Sequence, residues 1–221
     1  DKTLLEKLES FCESHGLRIH EVLFAVLCQS YSEWINSDVC HIGVPVTGRY
    51  IPEVVGLVGS FVSILPAEFK LPHANFIGVA QDVAEQIKEF YQYQELSFAE
   101  LTLGTAIAET PFPSNIPVSF AFQDVRKRPT RLADLNLTQI DIDRQQTEYP
   151  IEFWTRIQND GLLLMFDYDD GQVDKSSLEA LADAISRLLN TLDKLEDEAP
   201  EHQGFTVRPE TKKTLWRRLF Q

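Results

Sequence analysis

The chain has 221 residues, 43% of them hydrophobic and 24% charged, a composition typical of a globular protein with room for one large domain or two small ones. Its net charge of −14 argues against a nucleic-acid partner and an anionic membrane surface, since both require a basic protein surface. The three cysteines lack CxxC spacing and no apolar run is long enough to span a membrane, so we expect a cytoplasmic protein with reduced thiols and no metal site.

The first part of the chain predicts two helices followed by a short strand. Apolar residues at helical spacing indicate an amphipathic helix over residues 3–15, which ends at Gly16. The more uniformly apolar segment 19–34 is typical of a buried helix. Residues 39–46 then read as a strand. Because the chain opens at Asp1 without a methionine, we expect it to be a fragment or a processed form.

A turn and a second strand follow in the stretch from Gly43 to Pro66, GVPVTGRYIPEVVGLVGSFVSILP. Its first half is a G-x-P-V-x-G-R turn that contains Gly48 and Arg49. No acidic residue stands near this arginine before Glu53, so its side chain either clamps an anionic group or pins two backbone segments together. Residues 60–65 are predicted to form a strand that is closed by the proline.

The remainder of the chain predicts helices at both ends of a strand-rich region. The predicted elements are a helix over 76–91, a short helix over 97–103, a proline-rich loop over 111–117, strands over 118–122, 135–142, 149–158 and 162–168, and a final helix over 176–195. Asn159-Asp160-Gly161 is a hairpin signal. Ser176 or Ser177 is expected to cap the final helix. This order predicts a mixed sheet with flanking helices, an α/β sandwich.

No complete catalytic apparatus is evident in the residues. None of the five histidines belongs to an H-E-x-x-H pair, and the sequence contains no G-x-S-x-G elbow and no Walker loop. We expect His41, in the first strand, to be a structural histidine. The acidic residues over 167–174 are expected to form a solvated turn, since they lack the glycine and glutamate of a calcium loop.

Four positions near strand ends have properties suited to a binding site. Gly59 permits close backbone approach, and Phe61 and Val62 are expected on opposite faces of their strand, one of which lines either a channel or the core. Gln123 ends the strand VSFAF, where loops often carry function. From the residues alone, an enzyme half, a scaffold and a binding module all remain open.

Several segments, in the same order along the chain, resemble the condensation domains of nonribosomal peptide synthetases. The stretch 43–66 is similar to that family's G-x-P-x-x-G-R turn and V-G-x-F-V-N-T-L-P motif. FPSNIPVSFAFQDV and the closing hairpin and helix also match, so the resemblance covers roughly residues 3–195. The family's catalytic motif, H-H-x-x-x-D-G, appears nowhere in the chain.

The resemblance implies one half of a two-lobed domain with a chloramphenicol-acetyltransferase-like fold. Residues 1–195 would be its C-terminal lobe, and residues 196–221 a linker and a basic amphipathic tail. In that family a tunnel between the lobes admits the phosphopantetheine arms of two carrier proteins, and an amide bond forms between their acyl groups. The implied partners are the N-terminal lobe, peptidyl or aminoacyl carrier proteins and an adjacent adenylation domain. The chain alone is expected to hold no catalytic residue and to bind no cofactor directly.

The resemblance also implies roles for particular residues. The tunnel wall would include Gly59, Phe61, Ser63 and Gln123, and Gly48 and Arg49 would stabilise the turn beside it. Three departures from the family pattern stand out: Ser63 replaces the usual asparagine, the segment from Tyr93 to Phe98 lacks the usual histidine and proline, and Glu148-Tyr149-Pro150 replaces F-D-L.

Two alternatives stay open. One is a CoA-dependent acyltransferase lobe acting on a diffusible alcohol or amine, which the absence of a D-F-G-W-G motif disfavours. The other is a catalytically inactive platform that only docks a carrier protein, which the departures at Ser63 and Pro150 keep open.

Overall fold

The computed structural model describes residues 2–71, 75–95, 116–138, 140, 142 and 146–195. Within them the helices are α1 (Lys2–His15), α2 (Ile19–Ile35), α3 (Pro52–Val55), α4 (Phe76–Phe90), α5 (Lys175–Asn190) and α6 (Leu192–Leu195). The strands are β1 (Val39–Val46), β2 (Ser63–Lys70), β3 (Val118–Asp124), β4 (Arg131–Leu132), β5 (Leu135–Asn136), β6 (Ile151–Gln158) and β7 (Gly161–Tyr168). None of the described helices combines the length and apolar character needed to cross a membrane.

Five strands form a mixed sheet in the order β2-β1-β3-β6-β7. The three central strands β1, β3 and β6 are parallel, and the edge strands β2 and β7 are antiparallel to their neighbours. The short strands β4 and β5 pair only with each other, as a separate hairpin. The predicted mixed sheet with flanking helices is confirmed.

The main helices pack on one face of this sheet, where alternate strand residues form the core. Phe24 of α2 lies 4.9 Å, between ring centroids, from both Phe69 of β2 and Phe120 of β3. The indole Nε1 of Trp34, near the end of α2, donates to the carbonyl of Ser177 at 3.0 Å and ties this helix to α5. Burial of such large apolar side chains is the main source of the stability of the fold.

The predicted strand over 60–65 is wrong in its position. β2 begins at Ser63 and continues through Pro66 to Lys70, so Phe61 and Val62 precede the strand and do not alternate across it. A proline is tolerated here because β2 is an edge strand, whose outer backbone groups need no partner in the sheet.

The predicted half-buried strand over 135–142 is also wrong. Among the residues of this segment that the structure describes, only Leu135–Asn136 pair, and the four apolar ones are exposed: Leu135 by 65%, Leu137 by 44%, Ile140 by 79% and Ile142 by 81%. Leu137 and Ile140 lie three positions apart in the sequence, whereas the residues within each pair lie two apart. One straight strand would therefore place the two pairs on opposite faces, and no single buried face can form.

The final helix differs from its prediction at both ends. Asp174 is the N-cap, accepting a hydrogen bond from the backbone N–H of Ser177 at 2.9 Å, so neither Ser176 nor Ser177 caps the helix. The helix stops before Thr191, whose hydroxyl donates to the carbonyl of Leu188 at 2.8 Å, and a separate turn follows. Such a local side-chain bond competes with the helical backbone pattern.

The remaining predictions fall into two groups. The strand over 39–46 and the hairpin between β6 and β7 are confirmed, with Asn159 and Asp160 as the two-residue turn. The predicted short helix over 97–103, most of the proline-rich loop and the tail 196–221 lie outside the described residues.

Candidate functional site

One end of the sheet gathers the residues that the sequence singled out. β1 ends at Val46, which pairs with Ser63 at the start of β2. β3 is parallel to β1 and ends with Gln123 and Asp124 at the same end of the sheet. The connection between β1 and β2, residues 47–62, is called the β1–β2 loop and contains the other four predicted residues.

Arg49 holds the β1–β2 loop together from inside. Its guanidinium donates from Nη1 to the carbonyl oxygens of Val54, Val55 and Leu57, the last at 2.9 Å, and from Nη2 to the carbonyl oxygen of Gly59 at 3.1 Å. A planar guanidinium with several fixed donors suits this role better than a single ammonium group. Of the two roles considered for this arginine, the structure shows backbone pinning.

Phe61 is packed against both residues of the Gly-Arg turn. The guanidinium carbon of Arg49 lies 4.4 Å from the centroid of the phenyl ring, a cation–π distance. Gly48 has φ +63°, and a Cβ on it would lie 2.0 Å from the carbonyl oxygen of Phe61. Glycine is therefore required for two reasons, a left-handed backbone and a close approach.

The outer surface of the β1–β2 loop is unusually apolar. Val58 is fully exposed and Val55 and Val62 are more than 60% exposed. Further exposed apolar side chains in or beside the loop are Tyr50, Ile51 and Leu57. Exposed apolar residues are ordinary when scattered, but a cluster on one short ordered loop indicates a contact surface.

The sheet separates Ser63 from Gln123. Ser63 pairs with Val46 and shares the helix-packed face of Ile42. Val118 pairs with Ile42, so Gln123, five residues later in β3, faces the opposite side. The two predicted tunnel residues thus lie at the same end of the sheet but on different faces, since side chains alternate along a strand.

A group of charged side chains surrounds Gln123. Arg128 donates from Nη2 to Oε1 of Gln123 at 3.3 Å. Arg126 donates to a carboxylate oxygen of Asp124 at 2.7 Å and to one of Glu9 in α1 at 2.7 Å. Its hydrogen bonds to Asp124 hold the pKa of that carboxyl below its ordinary value. These contacts connect α1 to the end of β3.

A second polar group, not singled out from the sequence, lies at the start of α2. Glu21 is 2% exposed and accepts from the backbone N–H of Arg18 at 2.7 Å and from its guanidinium at 2.6 Å. His20 packs on Phe122 of β3 at 5.7 Å between ring centroids, and burial lowers its pKa. The Arg-x-x-Glu spacing at a helix start resembles a capping box, a signal that could have identified this pair.

The arrangement is suited to binding and positioning more than to proton transfer. His41 lies five residues before the end of β1, where Nε2 is 3.4 Å from a carboxylate oxygen of Glu68, as expected of a structural histidine. Of the predicted turn over 167–174, Asp167 instead belongs to β7, and the turn begins at Asp169, which accepts from the backbone N–H of Gly171 at 2.9 Å. Within the described parts of the chain, no group of three or more His, Cys, Asp or Glu side chains could hold a metal ion.

Comparison with protein families and curated sequences gives a consistent result. The family model described as "Condensation domain" matches residues 1–215. Tyrocidine synthase 3 from Brevibacillus parabrevis is 22% identical over 194 residues, which covers 86% of this chain and 3% of that protein. Bacitracin synthase 1 from Bacillus licheniformis is 22% identical over 209 residues, covering 91% and 4%. The chain therefore spans only a small part of these curated relatives.

Solved structures show the same fold at low sequence identity. The condensation domain from Monacolin K polyketide synthase MokA is 16% identical with a TM-score of 0.71, covering 89% of this chain and 45% of that one. PapA2 acyl transferase is 16% identical with a TM-score of 0.73, covering 90% and 43%. The epimerization domain from the third module of tyrocidine synthetase B is 16% identical with a TM-score of 0.65, covering 89% and 47%.

Proposed function

The chain belongs to the condensation domain family, and from that premise we propose that it is the C-terminal lobe of a two-lobed domain that joins carrier-bound thioesters through an amide. The family match over residues 1–215 is the observation that carries this proposal. The chain covers 43% to 47% of each of the three solved structures. This share supports the proposal, because one lobe out of two similar lobes would make up about half of such a domain.

In this proposal the end of the sheet that holds the β1–β2 loop forms one wall of the tunnel. Gly59 and Phe61 contribute from the loop, which Arg49 holds in shape, while Ser63 and Gln123 contribute from the two faces of the sheet end. The exposed apolar surface of the loop supports this placement, because an opposite wall would remove it from water.

The reaction of the intact domain is an acyl transfer from sulfur to nitrogen. The acceptor amine attacks the carbonyl carbon of the donor thioester, a C–N bond forms, the C–S bond breaks, and the thiol of the donor's phosphopantetheine arm takes up the proton that the amine loses. The histidine motif of the partner lobe would orient or deprotonate the amine. The contribution of this chain is to hold the two arms in line, since positioning alone lowers the barrier to a reaction between two bound groups.

The β4–β5 hairpin offers a surface for the partner lobe. Leu132 pairs with Leu135 across the hairpin, and the backbone N–H of Leu137, two residues further on, donates to the carbonyl oxygen of Thr130 at 2.8 Å. These three side chains, called the leucine face, are exposed by 64%, 65% and 44%. We place the N-terminal lobe against this face, because three clustered leucines in water cost free energy that a partner surface recovers.

The other partners follow from the reaction. Two carrier proteins would present their phosphopantetheine arms, and an adenylation domain of the same synthetase would supply the activated acceptor. The chain would need no cofactor of its own. A multidomain enzyme of this kind, with reduced cysteines such as the buried Cys12, Cys28 and Cys40, would work in the cytoplasm.

The proposal is tested with the intact two-lobed domain and two loaded carrier proteins. We expect mass spectrometry to detect the amide on the acceptor carrier, at a rate far above that of the carriers mixed alone. Equal use of a free CoA thioester in place of the donor carrier would instead indicate a CoA-dependent acyltransferase. Carrier binding without any product would indicate an inactive docking platform.

A further inference from the structure

A short basic segment follows β3 at the same end of the sheet as the proposed tunnel wall. Residues 126–131, RKRPTR, are called the basic segment and contain four of the 20 lysines and arginines of a chain whose net charge is −14. Every residue of the segment is exposed. The rest of the chain is therefore more acidic still, so the segment is a local positive field on a negative protein.

Only part of this positive charge forms ion pairs with acidic side chains of the same chain. Arg126 is neutralised by its contacts with Asp124 and Glu9, each at 2.7 Å. In contrast, Lys127 and Arg131 form no ion pair with any other residue that the structure describes, although the charge of Lys127 helps to lower the pKa of Asp124. These two cations thus lack a direct ionic contact in the described part of the chain, although acids outnumber bases in the sequence by 34 to 20.

Backbone hydrogen bonds fix the basic segment in place. The N–H of Val125 donates to the carbonyl oxygen of Ile157 in β6 at 3.0 Å, and the N–H of Arg128 donates to that of Val125 at 3.1 Å. At the far end the N–H of Leu137 donates to the carbonyl oxygen of Thr130 at 2.8 Å. The positive charges are consequently presented at a defined position beside Gln123.

We propose that the basic segment docks an acidic protein surface, namely that of the carrier domain whose arm enters the tunnel at this end of the sheet. The inference rests on the proposed function for the identity of the partner. Its physical basis is charge complementarity, since exposed charges accelerate the encounter of proteins of opposite sign and fix their relative orientation. At physiological ionic strength the attraction reaches only about 8 Å, so it acts on a partner that docks beside the segment.

The experiment compares two charge reversals of equal size in the intact two-lobed domain. One variant is Lys127→Glu with Arg131→Glu, which spares Arg128 and therefore Gln123. The matched control is Lys2→Glu with Lys175→Glu, two exposed lysines with side-chain exposures of 73% and 74%. Stopped-flow measurements give the association and dissociation rate constants with the carrier domain of the neighbouring module, at about 0.05 M and about 0.5 M salt.

We expect the basic-segment variant to associate at least about tenfold more slowly than wild type at low salt, with the difference shrinking at high salt. The control should stay within about twofold. Amide formation from small pantetheine-linked substrates, which need no carrier docking, is measured for the single Lys127→Glu variant, which leaves the β4–β5 hairpin intact, and should be unchanged. Circular dichroism and melting curves verify folding, and the milder Lys127→Gln with Arg131→Gln variant replaces the reversal if that does not fold.

Three outcomes would overturn the inference. An unchanged association rate for the basic-segment variant would show that the segment does not dock the carrier. An equally large loss of rate in the control variant would show that only the net charge of the protein matters. A loss with the phosphopantetheinylated carrier but not with the unmodified carrier would assign the segment to the phosphate of the arm and not to a protein surface. Absence of amide in the wild-type domain with loaded carriers would instead count against the proposed function, so the two failures are distinguishable.

Discussion

Gly48 and Arg49 show how two adjacent residues can determine the shape of a whole loop. The glycine lets the backbone turn and lets the carbonyl of Phe61 approach closely, and the arginine then donates to four carbonyl oxygens of the loop. These hydrogen bonds replace the regular backbone pairing that a loop lacks.

A set of glycine substitutions separates backbone strain from collision. Gly48→Ala should lower the free energy of unfolding by at least about 2 kcal/mol, since it combines a left-handed φ with a collision. Gly16→Ala has φ +66° but nothing within 4 Å of the new Cβ, and should cost about 1 kcal/mol. Gly56→Ala, at φ −90° and in open space, should change stability by less than about 0.5 kcal/mol. Urea denaturation measures the free energy of unfolding of all three variants. Equal losses of stability in Gly48→Ala and Gly16→Ala would refute the collision at Gly48.

Replacing Arg49 should loosen the β1–β2 loop without unfolding the sheet. For Arg49→Ala we expect cleavage within residues 47–62 by limited proteolysis to become about tenfold faster, because local opening no longer breaks the hydrogen bonds of the guanidinium to the loop carbonyls. Arg49→Lys should recover only part of the protection, since one ammonium cannot reach three directions. The control is Arg187→Ala on the exposed side of α5. Protection equal to wild type in Arg49→Ala would contradict the pinning role.

The sequence predicted the turn at Gly48 and Arg49, but it left two roles open for the arginine. Its choice of partners depends on where the carbonyl oxygens of residues 54, 55, 57 and 59 point, and that follows from the folded loop. The separation of Ser63 from Gln123 was likewise hidden, because it depends on the register of β1 with two neighbours. A motif reports which residues occur together and not which face each one occupies.

Among the elements, α2 depends on an ion pair at its start between the buried carboxylate of Glu21 and the exposed guanidinium of Arg18. Burial opposes ionisation of Glu21, but hydrogen bonds from Arg18 outweigh this and lower the pKa of the carboxyl below its ordinary value of 4.5. A carboxyl with a lowered folded pKa stabilises the protein above its unfolded pKa, and this contribution disappears as the pH falls through the folded value.

We therefore expect Glu21→Gln to lower the free energy of unfolding by about 2 kcal/mol at neutral pH, since it weakens charge-assisted hydrogen bonds at a buried position. The difference from wild type should shrink as the pH falls below about 4.5. Glu179→Gln, at a side chain that is 66% exposed, is the control and should show almost no difference at any pH. A pH-independent loss at Glu21 would show that packing, and not charge, is responsible.

The positions of helices and strands were predicted best in segments whose apolar residues pack into the core of this chain. The predicted types of helices α1, α2, α4 and α5 and of strands β1, β3, β6 and β7 are confirmed, whereas the short helix α3, which buries no side chain, was predicted as a loop. The start of β2 was misplaced because a proline was taken as a strand end, whereas an edge strand tolerates it. The segment 135–142 was assigned to the sheet because apolar residues were assumed to be buried within the same chain.

At the scale of the whole molecule, the exposed leucine face argues for a missing surface. In this chain, Leu132→Ser with Leu135→Ser should weaken the binding of a separately expressed N-terminal lobe by at least about tenfold, since each buried leucine contributes roughly 1.5–3 kcal/mol. The variant chain should keep its melting temperature, because these side chains are already in water. Ile35→Ser, at a residue that is 36% exposed at the end of α2, is the control. Unchanged affinity would place the partner lobe elsewhere.

We propose that this chain is one lobe of a two-lobed catalyst and supplies geometry without proton chemistry. The most direct measurement is amide formation between two loaded carrier proteins in the presence of this chain alone, the N-terminal lobe alone, and both lobes together. We expect product only when both lobes are present, with a rate that rises and saturates as this chain is added to a fixed amount of the other lobe. Amide formation by this chain alone would contradict it.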